Sequence, residues 1–132
     1  MTHSVIYKPK SIPELIEEAH KNAVEHGWWE GERNIGMLIA LMHSELSEAL
    51  EEYRNSNDRI RCLPIYYSGD EFISNEPTEC CKKPEGLAVE LADVCIRIFD
   101  FCGAYEIDLE KAIEIKMAYN KTRPYRHGGK KA

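Results

Sequence analysis

The sequence lacks the features that mark membrane-spanning, secreted and disulfide-stapled proteins. Its longest uninterrupted apolar run covers only residues 35–42, whereas a membrane-spanning helix needs about 20 residues. The N-terminal residues show neither the basic region nor the long apolar segment of a secretion signal. The five cysteines are odd in number and contain no Cys-x-x-Cys pair, which argues against a disulfide framework and a zinc ribbon. These absences predict a cytoplasmic protein with reduced thiols and no membrane partner.

Positive charge and glycine-rich motifs are also scarce. Lys and Arg total 17 against 23 for Asp and Glu, a net charge of −6. Because domains that bind nucleic acid polymers are usually basic, such a polymer is not an expected partner. The sequence has no Gly-x-x-x-x-Gly-Lys phosphate loop and no Gly-x-Gly-x-x-Gly fingerprint. A ferritin-like di-iron site needs two Glu-x-x-His motifs, and only the segment 17–20 fits.

The length and the apolar periodicity predict one all-α domain over residues 1–132 with a four-helix core. Ser11 and Glu14 form a capping box, Gly103 is expected to end the third helix, and Asp108 is a good N-cap. The short connection before Asp108 predicts that helices three and four are antiparallel neighbours. The predicted helices run over about Ile12–His26, about Asn34–Arg54, from after Pro84 to about Cys102, and over about Asp108–Thr122.

The stretch between the second and third helices, residues 55–83, is less regular. It is too long for a plain loop, so we expect an insertion that packs on the helical core. Residues 65–67 and 71–73 are candidates for the two arms of a hairpin. The tail over about 125–132 is basic.

Carboxylates replace apolar residues on one face of the second helix. Glu45, Glu48 and Glu52 share that face. The third helix carries two further carboxylates three residues apart, Glu90 and Asp93. Converging carboxylates repel one another, and a hard divalent cation such as Mg²⁺ or Mn²⁺ relieves that repulsion through oxygen ligands. The alternative is that the carboxylates on both helices belong to ordinary solvated helix surface, where Glu is common.

The fourth helix places the opposite charge on one face. Lys116, Asn120 and Arg123 recur there at helical spacing, although cations also favour helix C-termini through the helix dipole. An acidic groove that binds a cation beside a basic face suits a polyphosphate. Trp28 and Trp29 precede the second helix and are candidates for stacking on a nucleobase. Burial in the core or in an interface is their other interpretation.

Three segments in this order resemble the MazG-like family of the all-α NTP pyrophosphatase superfamily. They are residues 43–51 (His-Ser-Glu-Leu-Ser-Glu-Ala-Leu-Glu), residues 86–94 (Gly-Leu-Ala-Val-Glu-Leu-Ala-Asp-Val) and residues 116–130, which include Asn120 and Arg123. The resemblance covers about residues 27–130. It implies Mg²⁺-dependent cleavage of a nucleoside triphosphate to a monophosphate and pyrophosphate, commonly for cleansing nucleotide pools.

The resemblance also implies roles for individual residues. Glu45, Glu48, Glu90 and Asp93 would bind the metal, with Glu45 or Glu48 as the catalytic residue that activates water. Lys116, Asn120 and Arg123 would bind phosphates. Members of the family assemble as homodimers or as dimers of dimers, in which helices from two chains build one site.

Two departures from the family pattern keep other functions open. Ser44 stands where many members have a further Glu, and the insertion lengthens the gap between the acidic motifs. A non-catalytic oligomeric bundle that binds nucleotide or a protein partner as a regulator is the main alternative, and a structural helical adaptor is a third.

Arg97 and Asp100 are expected to form a surface or interface pair.

Overall fold

A computed structural model describes residues 8–55, 66–72 and 82–126. These ranges hold four helices and two short strands, so the all-α class is confirmed and the helix ends agree closely with those expected. The elements are α1 (Ile12–Glu25), α2 (Ile35–Asn55), β1 (Tyr66–Phe72), β2 (Lys82–Glu85), α3 (Leu87–Ala104) and α4 (Leu109–Thr122). None of the helices in these ranges combines the length and the apolar character that crossing a membrane would require.

Local hydrogen bonds determine where the helices begin. The capping box of α1 is present: the Glu14 amide donates to Ser11 Oγ at 3.3 Å, and the Ser11 amide donates to Glu14 Oε1 at 3.0 Å. Asp108 caps α4 by accepting from the Lys111 amide at 3.1 Å. Gly27, at φ 81°, turns the chain out of α1. The predicted capping box at Ser11 and the predicted N-cap at Asp108 are confirmed.

α3 is the central helix, because α1 and α2 both pack along it. α4 instead makes a small contact with α1 and does not run along α3 as an antiparallel neighbour. That prediction was wrong because the connection after α3 redirects the chain, with Glu106 in the left-handed region at φ 54°. In the described part of the chain the packed core is therefore α1, α2 and α3, with α4 at its edge.

Gly103 does not end α3, which continues to Ala104. It lies against α1: a Cβ atom placed on Gly103 would be 2.6 Å from His20 Cβ and 3.3 Å from the Ile16 carbonyl oxygen. The glycine therefore serves close helix packing rather than helix termination.

The described part of the insertion forms a two-stranded antiparallel sheet. Tyr66 pairs with Glu85 and Tyr67 with Pro84, and the register shifts before Phe72. The expected hairpin within residues 65–73 is not formed, because residues 66–72 make one strand whose partner is β2. Three of the cysteines and most of the basic tail lie outside the described residues; they are Cys62, Cys80, Cys81 and residues 127–132.

The described part of the chain buries few hydrophobic residues by itself. Only Ala23, Ala49 and Cys102 are buried among them, although a chain of this length normally buries a core of larger side chains. Large apolar side chains stay exposed on α4, where Ile115 is 61% and Met117 is 58% exposed. Exposed apolar surface of this kind is typical of a face that another molecule covers.

We predict that Gly103→Ala destabilises the protein by about 1–3 kcal/mol, the usual range for overpacking. The added methyl group would overlap His20 and force α1 and α3 apart. Chemical denaturation measures the change in the free energy of unfolding. Gly36→Ala in α2 is the matched control, because its Cβ would meet only the Asn34 side chain, at 3.0 Å. Equal stability of Gly103→Ala and the wild type would contradict the packing role.

Candidate functional site

Packing of α2 on α3 brings carboxylates from both helices together. One carboxylate oxygen from each of Glu45, Glu90 and Asp93 lies within 4.8 Å of the other two. Glu90 and Asp93 are one turn apart on α3 and therefore share the face that meets α2. Glu48 is more exposed, yet it is close enough for its charge to raise the pKa of both α3 carboxyls. The structure thus brings together three of the four residues predicted to bind a metal. We call Glu45, Glu90 and Asp93 the acidic cluster, and Glu48 lies at its edge.

Glu90 has the least favourable surroundings of the acidic cluster. Burial is the main cause that raises its pKa above the ordinary 4.5, and the charges of Asp93, Glu48, Glu45 and Glu52 raise it further. Its Oε2 atom is buried and accepts no hydrogen bond in the described part of the chain. A buried carboxylate oxygen without a donor lowers stability. A proton or a cation would satisfy it.

Arg97 partly neutralises the acidic cluster. Its Nε atom donates to Glu45 Oε1 at 2.6 Å, and the two side chains are 35% and 15% exposed. The pKa of Asp93 is raised by burial and then by Glu45 and Glu48, while Arg97 acts in the opposite direction. The expected surface or interface pair between Arg97 and Asp100 is not formed among the described residues, because Arg97 donates to Glu45 of α2.

Asp100 instead anchors the loop between α1 and α2. Its Oδ1 atom accepts from Trp29 Nε1 at 2.8 Å and lies 2.9 Å from His20 Nδ1. The rings of His20 and Trp29 meet edge to face at 5.5 Å. Trp29 is thus half-buried and hydrogen-bonded, which favours packing as its role, whereas Trp28 is 62% exposed.

A cavity of about 310 Å³ adjoins the acidic cluster. Glu45, Asp93 and Arg97 line it, and Trp28 and Trp29 also contribute to its wall. Its other lining residues are mostly apolar, and they are Ala19, Asn22, Ala23, Arg33, Leu38, Leu41, Ile96 and Asp100. Small-molecule sites commonly have this size and this mixture of apolar walls with a few charged groups.

The predicted phosphate-binding residues lie elsewhere in the chain. Lys116, Asn120 and Arg123 are on or directly after α4, which contacts α1. Lys116 Nζ is 5.0 Å and Arg123 Cζ is 5.8 Å from the centre of the Tyr119 ring. Within residues 8–55, 66–72 and 82–126, no ion pair joins these cations to the acidic cluster. Among the described residues of one chain, the predicted basic face is therefore not paired with the acidic cluster.

Sequence reasoning missed the partners of Arg97 and Asp100, although a signal was present. Glu90, Asp93, Arg97 and Asp100 recur every three or four residues, the spacing of a single helix face. The partner of Arg97 is on α2, and the partners of Asp100 are on α1 and in the loop after it, so all of them are far away in sequence.

Comparisons of the chain with protein-family models, with curated proteins and with solved structures find no match. The resemblance to the MazG-like family therefore rests on the motifs quoted above.

We predict that Glu90→Gln raises the melting temperature of the metal-free protein by a few degrees at neutral pH. The raised pKa means that the folded state holds the carboxyl proton of Glu90 more tightly than the unfolded state does. Ionisation of Glu90 therefore opposes folding increasingly as pH rises through its folded pKa. The gain from Gln should shrink as pH falls toward 4.5.

Thermal unfolding of the wild type and Glu90→Gln in EDTA, at neutral pH and near pH 4.5, measures this gain in melting temperature. Glu51→Gln is the matched control, since Glu51 is exposed on α2 and pairs with Arg54 at 3.6 Å. A lower melting temperature for Glu90→Gln at neutral pH, or a gain that does not change with pH, would show that ionisation of Glu90 does not destabilise the folded protein.

Proposed function

We propose that this protein is a metal-dependent nucleoside triphosphate pyrophosphohydrolase of the MazG-like type. It would convert an NTP or dNTP and water into the monophosphate and pyrophosphate, and so cleanse nucleotide pools in the cytoplasm. The observation that carries the proposal is the acidic cluster of Glu45, Glu90 and Asp93 beside a cavity with an exposed indole, that of Trp28.

The chemistry of the acidic cluster fits Mg²⁺ or Mn²⁺. Its donors are all carboxylate oxygens, the ligands that these hard cations prefer, and Glu90 Oε2 is a buried oxygen in need of a partner. Glu45, Glu48, Glu90 and Asp93 would hold the ion. When bound, it would neutralise charge on the phosphate oxygens and on the leaving pyrophosphate.

The residues of the chain itself would orient the water and the substrate. We assign the water to Glu48, because Glu45 is engaged by Arg97 whereas Glu48 is exposed at the edge of the acidic cluster. A carboxylate there would accept a proton as the water attacks phosphorus. Trp28 would stack on the nucleobase, while Trp29, fixed by Asp100, forms a rigid wall of the cavity.

We also propose that the site is completed by a second copy of the chain. Among the described residues, Lys116, Asn120 and Arg123 make no ion pair with the acidic cluster of their own chain. Ile115 and Met117 on the same helix are exposed. A homodimer, or a dimer of dimers, would cover this apolar surface and bring α4 of one chain to the phosphates bound by the other.

One observation favours the non-catalytic alternative, a nucleotide-binding regulator. Ser44 replaces a Glu of the family pattern, and its Oγ atom donates to the Leu41 carbonyl at 2.7 Å instead of joining the acidic cluster. A regulator would bind nucleotide without releasing pyrophosphate.

The test of the proposed function is pyrophosphate release from a panel of ribo- and deoxynucleoside triphosphates in the presence of Mg²⁺. We expect turnover by the wild type, and a loss of at least a hundredfold in Glu48→Gln and in Asp93→Asn, because general-base catalysis and metal binding each contribute that much or more. EDTA should abolish turnover.

Glu51→Gln, on the outer face of α2, should keep wild-type activity. Nucleotide binding without pyrophosphate release, with either Mg²⁺ or Mn²⁺, would establish the regulator in place of the enzyme. Turnover that persists in Asp93→Asn would place the reaction outside the acidic cluster.

For the assembly, we expect sedimentation of the wild type as a dimer or a tetramer. Ile115→Glu should shift it to a smaller species, because the substitution places a charge at an exposed apolar position of α4. Glu114→Gln, at the neighbouring exposed position, is the control and should sediment as the wild type does. A monomeric wild type would contradict this part of the proposal.

A further inference from the structure

Arg97 lies at the junction between the cavity and the acidic cluster. It projects from the central helix α3, lines the cavity and contacts Glu45. Its side chain is 35% exposed, so it is only partly buried where it lines the cavity. A cation in this position is close to any group held by the carboxylates.

The guanidinium of Arg97 is held at one end and open at the other. Its Nε atom donates to Glu45 Oε1, while its two terminal nitrogens have no hydrogen-bond partner in the part of the chain that the structure describes. Arginine carries its donors in a rigid planar fork, so the bond at Nε also orients the terminal pair. A fork oriented in this way matches the oxygens of a phosphate group.

The other candidate phosphate-binding cations are used differently. Arg33 lines the same cavity, but its Nη2 atom donates to the Trp28 carbonyl and so supports the loop. Lys116 and Arg123 lie over the Tyr119 ring on α4. Arg97 is therefore the arginine best placed, in the described part of this chain, to meet an anion at the acidic cluster.

We propose that Arg97 binds the phosphate group attached directly to the nucleoside, through its terminal nitrogens, while Nε holds Glu45. The proposal rests on the proposed function and deepens it, because it adds a phosphate ligand that the chain supplies to its own site. The sequence motifs had placed phosphate binding on α4 alone.

This arrangement predicts two opposite effects of removing the guanidinium. Phosphate binding loses a charge-assisted pair of hydrogen bonds. Cation binding loses a competitor, because Glu45 no longer shares its carboxylate with Arg97. A residue that only positioned Glu45 for the metal would instead weaken both kinds of binding when it is removed.

The experiment is calorimetric titration of wild type and Arg97→Gln with Mg²⁺ alone, and then, in Mg²⁺, with the common nucleosides and their 5′-monophosphates. We expect Arg97→Gln to bind monophosphates about ten- to a hundredfold more weakly. Nucleoside affinity should be unchanged, and Mg²⁺ affinity equal or higher. Arg97→Lys should recover part of the monophosphate affinity, because a lysine keeps the charge but not the fork.

Arg54→Gln is the control for net charge, because Arg54 lies at the exposed end of α2 and outside the cavity. It should bind all three probes as the wild type does. Thermal unfolding checks that the Arg97 variants are folded, and Arg97→Lys serves as the test if Arg97→Gln is not.

Three outcomes would overturn the proposal. The first is a wild type that prefers no monophosphate to its nucleoside, and the second is an Arg97→Gln variant that keeps the preference. The third is a parallel loss of Mg²⁺ and monophosphate affinity, which would reduce Arg97 to positioning Glu45. Failure of the proposed function is seen separately, as absence of pyrophosphate release by the wild type.

Discussion

The constraint on which the site depends is the repulsion among carboxylates that α2 and α3 hold together. Glu45, Glu90 and Asp93 meet within 4.8 Å, and burial and like charge both raise the pKa of the two α3 carboxyls. Packing of α2 on the central helix must outweigh this repulsion. Arg97 offsets only part of it, since Glu90 Oε2 stays buried without a hydrogen-bond partner among the described residues. Ionisable groups that a protein holds in positions where their charge destabilises the folded state are typical of sites that act on a ligand.

Most of the helical fold could be predicted from the sequence, because caps and apolar periodicity are local signals. Ser11 and Asp108 cap the helices they were expected to cap. Gly103 was misread because a glycine near a helix end has two physical meanings, and here it allows close approach to His20 rather than ending α3. The position of α4 depends on the path of its connection through Glu106, which loop length alone does not determine.

The acidic cluster could be predicted because helical spacing places Glu90 and Asp93 on one face of α3. The partners of that face could not, since Arg97 meets a residue 52 positions away and Asp100 one that is 71 positions away. Trp28 and Trp29 show that the contacts of two adjacent residues could not be predicted either. They are neighbours in the chain, yet only Trp29 is turned inward to donate to Asp100.

The central claim is that the acidic cluster binds a divalent cation, and a titration of the protein with Mn²⁺, followed by electron paramagnetic resonance, tests it most directly. Our account predicts saturable binding that Mg²⁺ displaces and that Asp93→Asn abolishes, while Glu51→Gln binds as the wild type does. Absence of saturable binding, or binding that survives in Asp93→Asn, would contradict it.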